Sequence, residues 1–322
     1  NEKIKNTTDW TLNKEYTLSY VPDFVALGSV IKDFSDPDML LIGSSCQEAS
    51  IEVMKIFTSQ FINLDKDGKF RTQIKFLSIP ECEIAKVSLN AYICMKISFA
   101  NFLGLLSNNI YDINVDNITE AIGLDTRIGR KYLKAGLSFG GTCFPRDVYA
   151  FIKFSQQHNL IAHHIYAADN INKMITQYIN HNILNILKLN SYIDSVAIIG
   201  LGFKTNTPVI TESQSIKLID DILIHCSNVQ LNLYDSVTEA MSNTDQYLTL
   251  KYKYINNTIE YYNNAFECIK KAKLIVLMHP IDIDVIDKCR DKIIIDPWRQ
   301  LSNYTNINSH IIESLGNLKT KE

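Results

Sequence analysis

At 322 residues the chain is long enough to bury a sizeable core and to hold two or three domains. A formal charge of −3 without a basic patch excludes a polyanion binder, and seven cysteines scattered without C-x-x-C spacing exclude a disulfide framework and a zinc site. That cysteine usage fits a reducing compartment, so a cytoplasmic protein is expected, and continuous apolar runs such as Leu274–Met278 are too short to span a bilayer. Residue 1 is asparagine, which reads as a processed, trimmed or partial chain.

In chain order, Tyr16–Tyr20 predicts a short strand, Met39–Gly43 a strand ending in glycine, and Gln47–Phe61 a helix with Ile51, Met54, Phe57 and Phe61 on one face. Phe70–Leu77 predicts another strand. Ile79-Pro80 then opens a long helix, in which Ala85, Leu89, Tyr92, Ile93, Lys96 and Phe99 keep helical spacing to about Leu106. Asn117–Ile122, Asp147–Gln157 and Ile165–Leu189 predict three further helices, so the middle of the chain is helical. From Ser195 the periodicity changes. Val196–Gly200, Leu231–Tyr234, Leu274–Met278 and Ile293–Ile295 are apolar runs of the kind found in parallel strands, with a helix over Ser213–Ile224. Right-handed βαβ units imply a doubly wound sheet there. The expected class is α/β, divided into an α/β piece at 1–77, helices at 78–188 and the wound sheet at 189–322.

The densest chemistry lies in Gly136-Leu-Ser-Phe-Gly-Gly-Thr-Cys-Phe-Pro-Arg-Asp147. Gly140 and Gly141 permit close approach of a ligand to the backbone, Pro145 fixes the chain after Cys143, Arg146 is a cation able to favour a thiolate, and Asp147 is able to hold a water or hydroxyl. Two readings stand side by side: a nucleophile's nest, or a buried thiol beside a Gly-Gly turn. Lys86 and Asn90 lie four apart, one turn after Glu83, which reads either as an electrostatic pair or as a solvated helix face. Pro22-Asp23-Phe is an ordinary turn, and Thr126–Lys134 is a cationic helix end. Gly200-Leu-Gly-Phe-Lys204 follows a strand, but Thr205 stands where a third glycine would complete a dinucleotide fingerprint. Ile295-Asp-Pro-Trp-Arg299 closes a strand end, and on its own it is a turn.

Together these segments resemble the UDP-glucose/GDP-mannose dehydrogenase family. Phe139–Asp147 is similar to its cysteine signature, with Ser138 at a usual glycine and Arg146 at a usual lysine. Glu83-Ile-Ala-Lys86-Val-Ser-Leu-Asn90 resembles its Glu-x-x-Lys-x-x-x-Asn segment. The resemblance implies an NAD-dependent, four-electron oxidation of a nucleotide sugar, UDP-glucose being favoured, from alcohol through aldehyde to carboxylate. Cys143 would be the covalent nucleophile, Lys86 and Asn90 would stabilise the oxyanion, and Asp23 would work with the hydrolytic water beside Asp147. Arg127 would reach substrate in a neighbouring subunit, which implies a homodimer or larger homo-oligomer through the central helices. Tyr132, Leu133, Lys134, Phe139, Gly140, Phe203, Lys204 and Arg299 would contact the nucleotide sugar, and Gly141 and Arg146 the cofactor.

Leu27, Met39, Val209 and Thr211 depart from the family pattern. Before Pro22 there is no strand-Gly-x-Gly-x-x-Gly-helix unit. The resemblance therefore implies that 1–77 is the last part of an NAD-binding domain, that 78–188 is a dimerisation domain and that 189–322 is a Rossmann-like nucleotide-sugar domain. These 322 residues alone are expected to show no NAD reduction. A non-catalytic nucleotide-sugar-binding dimer, or a dehydrogenase of GDP-mannose or a UDP-N-acetylhexosamine, remains the alternative.

Overall fold

The computed structural model describes residues 4, 7–61, 64–69, 71–252, 258–289, 291–301, 311–313 and 315. The chain divides into two compact units, Asn1–Asn90 and Ala91–Glu322.

In the first unit, β1 (Ser19–Tyr20), β2 (Met39–Ser44) and β3 (Gln73–Leu77) form one sheet in that order. β1 runs antiparallel to β2, and β3 runs parallel to it. Leu40, Leu41 and Ile42 are all buried, which is why β2 reads as a continuous apolar run in place of an alternating one. The short helix α1 (Val30–Ser35) was not anticipated; Asp33 organises its start by accepting from the Ala26 N–H at 2.8 Å and from Ser29 Oγ at 2.7 Å. Helix α2 (Gln47–Thr58) stops short of Phe61, as Thr58 turns its hydroxyl back onto the Met54 carbonyl at 2.8 Å. Phe70, the expected start of β3, lies outside the described residues, and the first two residues of that expected strand that are described, Arg71 and Thr72, precede β3.

Helix α3 (Ile79–Ser107) has 29 residues and is apolar enough along its length to pass the criterion for a membrane span, which the count of continuous apolar runs misses. Part of its length packs into the core. Ala91, Cys94, Ala100 and Asn101 are buried, and Ser98 Oγ donates to the Ala168 carbonyl at 2.7 Å.

The second unit continues with α4 (Val115–Gly123), α5 (Phe144–Gln157) and α6 (His163–Leu189). Its sheet holds β4 (Ser195–Ile199), β5 (Gln230–Tyr234), β6 (Ile259–Tyr261), β7 (Leu274–Leu277), β8 (Ile293–Ile295) and β9 (Ile311–Glu313), in the order β6-β5-β4-β7-β8-β9 with every pairing parallel. Numbered within this sheet, the order is the 3-2-1-4-5-6 of the doubly wound fold. The crossovers contain α7 (Gln214–His225), α8 (Thr238–Lys251), α9 (Ala265–Lys271) and α10 (Ile283–Asp287). Ile175, Ile179 and Ile183 of α6 share a core with Leu218, Ile219 and Ile222 of α7 and with Ile198 and Leu231 of the sheet. On the other face Ile275, Leu277 and Ile294 pack with Ile269 of α9 and Ile286 of α10. α6 contributes an apolar stripe to the sheet core, and the helices from residue 91 and the wound sheet lie in one compact unit.

Candidate catalytic site around Cys143

Cys143 stands at the N-cap of α5, with Pro145 in the first helical turn, where its missing N–H costs nothing. The seven cysteines fall into sharply different environments, and Cys143 alone is exposed. Burial pushes the thiols of Cys82, Cys94, Cys226, Cys268 and Cys289 up, away from the thiolate. The reading of Cys143 as a small buried hydrophobe is thereby removed. Thr142 Oγ1 lies 3.7 Å from its sulfur.

The loop before Cys143 is fastened by groups distant in sequence. Asn101 Oδ1 accepts from the Gly136 N–H at 2.8 Å, and its Nδ2 donates to the Leu137 carbonyl at 3.2 Å. Asn172 Oδ1 accepts from the Phe139 N–H at 2.7 Å, and its Nδ2 donates to the Phe139 carbonyl at 3.0 Å. Ser138 donates to Gln214 Oε1 and accepts from Thr176 Oγ1 at 3.0 Å, while Gln214 reaches Asn180 at 2.9 Å. A serine in place of the family's glycine thus ties the loop to α6 and α7.

Gly140 and Gly141 do permit a close approach, but the approaching group is the chain itself. A Cβ on Gly140 would lie 2.2 Å from the Glu212 carbonyl oxygen, and one on Gly141, at φ +81°, would lie 2.6 Å from the Phe203 ring. The Gly141 N–H donates to the Thr211 carbonyl at 3.0 Å. The expected ligand and cofactor contacts of Gly140 and Gly141 therefore give way, in this structure, to packing against the 203–212 segment.

Arg146 Nε meets Asp147 Oδ1 at 2.8 Å, with the guanidinium largely in solvent and the carboxylate buried. The hydrogen bond to Asp147, then that carboxylate's charge, raises the Arg146 guanidinium above its ordinary range, and Cys143 adds a smaller contribution. Asp147 also donates its main-chain N–H to the Cys143 carbonyl at 2.8 Å, as the first turn of α5 requires, and the residue is buried. The Phe144 ring meets Tyr132 and Phe139 edge-on, at centroid distances of 6.4 and 6.3 Å. Leu133 is buried while Lys134 is exposed, and Arg127 projects into solvent, paired with Asp125 at 2.6 Å.

The second glycine turn is closed from within. Asp235 Oδ2 accepts from the N–H groups of Leu201 at 2.7 Å and Gly202 at 3.1 Å, where a pyrophosphate would sit in a dinucleotide turn. Gly200, at φ +95°, makes room for the His279 ring, and Ser213 caps α7 while donating to the Leu201 carbonyl at 2.7 Å. This turn does not fit NAD. Lys204 lies over the Phe203 ring at 5.8 Å, beside the cysteine loop. A cavity of about 420 Å³ opens at the ends of β4, β5 and β7, lined by Tyr234, Ser236, Phe266 and His279, and no residue of the Cys143 loop lines it.

Arg299 requires a correction. It is 3 % exposed and all its donors are engaged: Nε and Nη2 with the Asp116 carboxylate at 2.8 Å, Nη1 with the Pro297 and Leu315 carbonyls, and Nη2 with the Ala135 carbonyl. No N–H is left for a substrate, so Arg299 is an internal brace. Trp298 beside it occupies the space that a Cβ on Gly136 would need, at 2.2 Å. Sequence reasoning missed Asn101, Asn172, Asp116, Asp235 and His279, for which no local motif signals a role.

Asp23, Lys86 and Asn90 belong to the first unit. Lys86 Nζ lies 4.8 Å from the centroid of the Phe24 ring and donates to the Asp23 main-chain carbonyl, leaving the exposed Asp23 carboxylate out of that bond. Asn90 is buried. The expected catalytic set is thus split between units, with Cys143 and Asp147 in the second.

The site is an exposed cysteine on a Gly-Gly loop at a helix start, in a helical region joined to a parallel wound sheet. Residues 80–174 match the UDP-glucose/GDP-mannose dehydrogenase family, central domain. The chain is 27% identical over 256 residues to UDP-glucose 6-dehydrogenase of Rickettsia prowazekii, covering 80% of this chain and 55% of the relative. It is 29% identical over 242 residues to that of Haloferax volcanii, covering 70% of this chain and 54% of the relative. The chain spans about half the length of these curated relatives. Its fold is similar to a UDP-glucose dehydrogenase from Pyrobaculum islandicum, at a TM-score of 0.75 and 24% identity over 93% of this chain and 63% of that one. It is also similar to a UDP-D-ManNAc dehydrogenase from Pyrococcus horikoshii, at 0.74 and 20% over 98% and 68%.

Proposed function

We propose that this chain carries the substrate-side portion of an NAD-dependent nucleotide-sugar 6-dehydrogenase acting on UDP-glucose in the cytoplasm. The observation that carries the reading is Cys143: a single exposed thiol at a helix start, beside Phe203 and Lys204 of the wound-sheet unit. NAD is the hydride acceptor in this reading; no turn among the described residues fits it, so only the chain's own chemistry is derived. The Cys143 sulfur adds to the carbon of the sugar aldehyde, and the carbonyl oxygen takes a proton to give a thiohemiacetal. After oxidation to the thioester, water adds to the acyl carbon and the C–S bond breaks, returning the thiol and a carboxylate. Lys204 offers a mobile cation to the diphosphate, Tyr132, Phe139 and Phe144 offer aromatic surface, and Lys86 and Asn90 would stabilise the oxyanion with Asp23 serving the water.

The curated relatives' common name supports UDP-glucose, and the fold's likeness to an enzyme titled for UDP-D-ManNAc keeps an N-acetylhexosamine substrate as the second reading. A homodimer is part of the proposal: Tyr92, Phe99, Phe102 and Leu106 are exposed at helical spacing along α3, an apolar stripe suited to a second copy. The test uses the product of the intact gene with a panel of nucleotide sugars. UDP-glucose is expected to give NADH and UDP-glucuronate, and Cys143→Ser to make no sugar acid; steady acid production by that variant overturns the covalent role.

A further inference from the structure

Among the described residues no strand pairs with the segment Gly136–Phe139, which runs toward Cys143. Its polar groups are taken up by two buried carboxamides, Asn101 at 0 % and Asn172 at 8 % exposure, from α3 and α6. Each uses Oδ1 to accept a backbone N–H and Nδ2 to donate to a backbone carbonyl, at Gly136 and Leu137 for Asn101 and at Phe139 for Asn172. A primary carboxamide has the donor and acceptor geometry of a peptide group, so the pair does for this segment what a neighbouring strand does in a sheet. Among the described residues neither asparagine side chain bonds anything else, which separates this pair from Asn180, whose amide links Gln214 to Asp221.

We propose that Asn101 and Asn172 are positioning residues for the nucleophile: they fix the backbone from Gly136 to Phe139 and so hold Cys143 at the first turn of α5. The inference rests on the reading of Cys143 as the nucleophile. Isosteric loss of the amide leaves two buried backbone groups unpaired, which shifts the loop toward conformations that can reach water, and the sulfur moves off the helix start with it. A purely structural role predicts lower stability with an unchanged thiol. A positioning role predicts a changed thiol as well.

The experiment measures iodoacetamide alkylation of Cys143 by peptide mapping in the 322-residue chain, from pH 6 to pH 10, with thermal melts run in parallel. Asn172→Leu and Asn101→Leu are each expected to slow alkylation at pH 7.5 by about tenfold and to displace the pH–rate profile to higher pH. Ser98→Ala, which deletes a buried α3-to-α6 hydrogen bond that involves no group of the loop, is expected to lower the melting temperature and leave the profile in place. Should the leucine variants not fold, Asn172→Asp is read in their place; it keeps the acceptor for the Phe139 N–H, loses the donor, and is expected to slow alkylation in the same direction. Variants that alkylate at the wild-type rate while melting like Ser98→Ala overturn the positioning role alone. A wild-type Cys143 that reacts no faster than glutathione overturns the nucleophile reading, and the positioning role with it.

Discussion

Two glycine-rich turns of the second unit look alike in sequence and do opposite things in the fold. Gly140-Gly141 packs against Phe203 and the Glu212 carbonyl, and the chain emerges with an exposed sulfur. Gly200-Leu-Gly202 packs against His279 and folds its N–H groups onto the buried Asp235 carboxylate, so its anion site is already filled. Glycine reports that something must come close. What comes close is set by residues elsewhere: Phe203 and Thr211 for one turn, Asp235 and His279 for the other.

The largest expected effect that sharpens this contrast is Asp235→Ala. Asp235 accepts from Leu201 and Gly202 and, through Oδ1, from Val237 N–H at 2.8 Å, so its removal orphans two buried donors and a half-buried one. A loss of about 4 kcal/mol in urea-monitored stability is expected. A loss below about 1 kcal/mol would mean that water or another acceptor replaces the carboxylate readily, and the turn would then be open to an anion after all.

Gly140→Ala follows at about 3 kcal/mol, since its Cβ would meet a backbone oxygen that cannot rotate away. The same variant should alter Cys143 alkylation, because the strain falls three residues before the sulfur. A variant that keeps both stability and alkylation unchanged would break the claim that the 203–212 segment seats the cysteine loop.

How far such features were legible from sequence depends on the range of the contact. The strands β4, β5, β7 and β8 were visible as apolar runs because both faces of a central parallel strand are buried, while β6, with Ile259, Glu260 and Tyr261 only half-buried, carried no such signal. Helices α8, α9 and α10 went unread: α8 is rich in polar and hydroxylated residues, and the other two are only 7 and 5 residues long. The Pro and Gly around Cys143 left an accessible and a buried thiol equally open, because exposure depends on contacts distant in sequence, and the fold resolves it as exposed. Arg299 was misread because its partners, Asp116 and Ala135, are far away in sequence, and a strand-end arginine looks the same whether it faces a substrate or a buried carboxylate.

The smallest effect concerns pH and separates the two turns once more. Burial pushes the His279 imidazole below its ordinary value, and this outweighs the opposing pull of Asp235, whose Oδ2 lies 3.6 Å from Nδ1. The neutral ring is the one the fold accepts, with Nε2 3.0 Å from the Gly202 carbonyl. Because the folded value lies below the unfolded one, the unfolded chain binds more protons in the interval between them. The His279 contribution to stability is therefore fully present above about pH 6.5 and is lost as the pH falls through the folded value. Urea titrations between pH 7.5 and pH 5 should show stability falling with acid, and His279→Gln should flatten that slope by at most one proton. An unchanged slope in the glutamine variant would show that the ring protonates inside the fold at no cost, with Asp235 compensating for burial. The Gly200 turn would then be held by an ion pair, and its contrast with the uncharged seat of the cysteine loop would be one of charge as well as of shape.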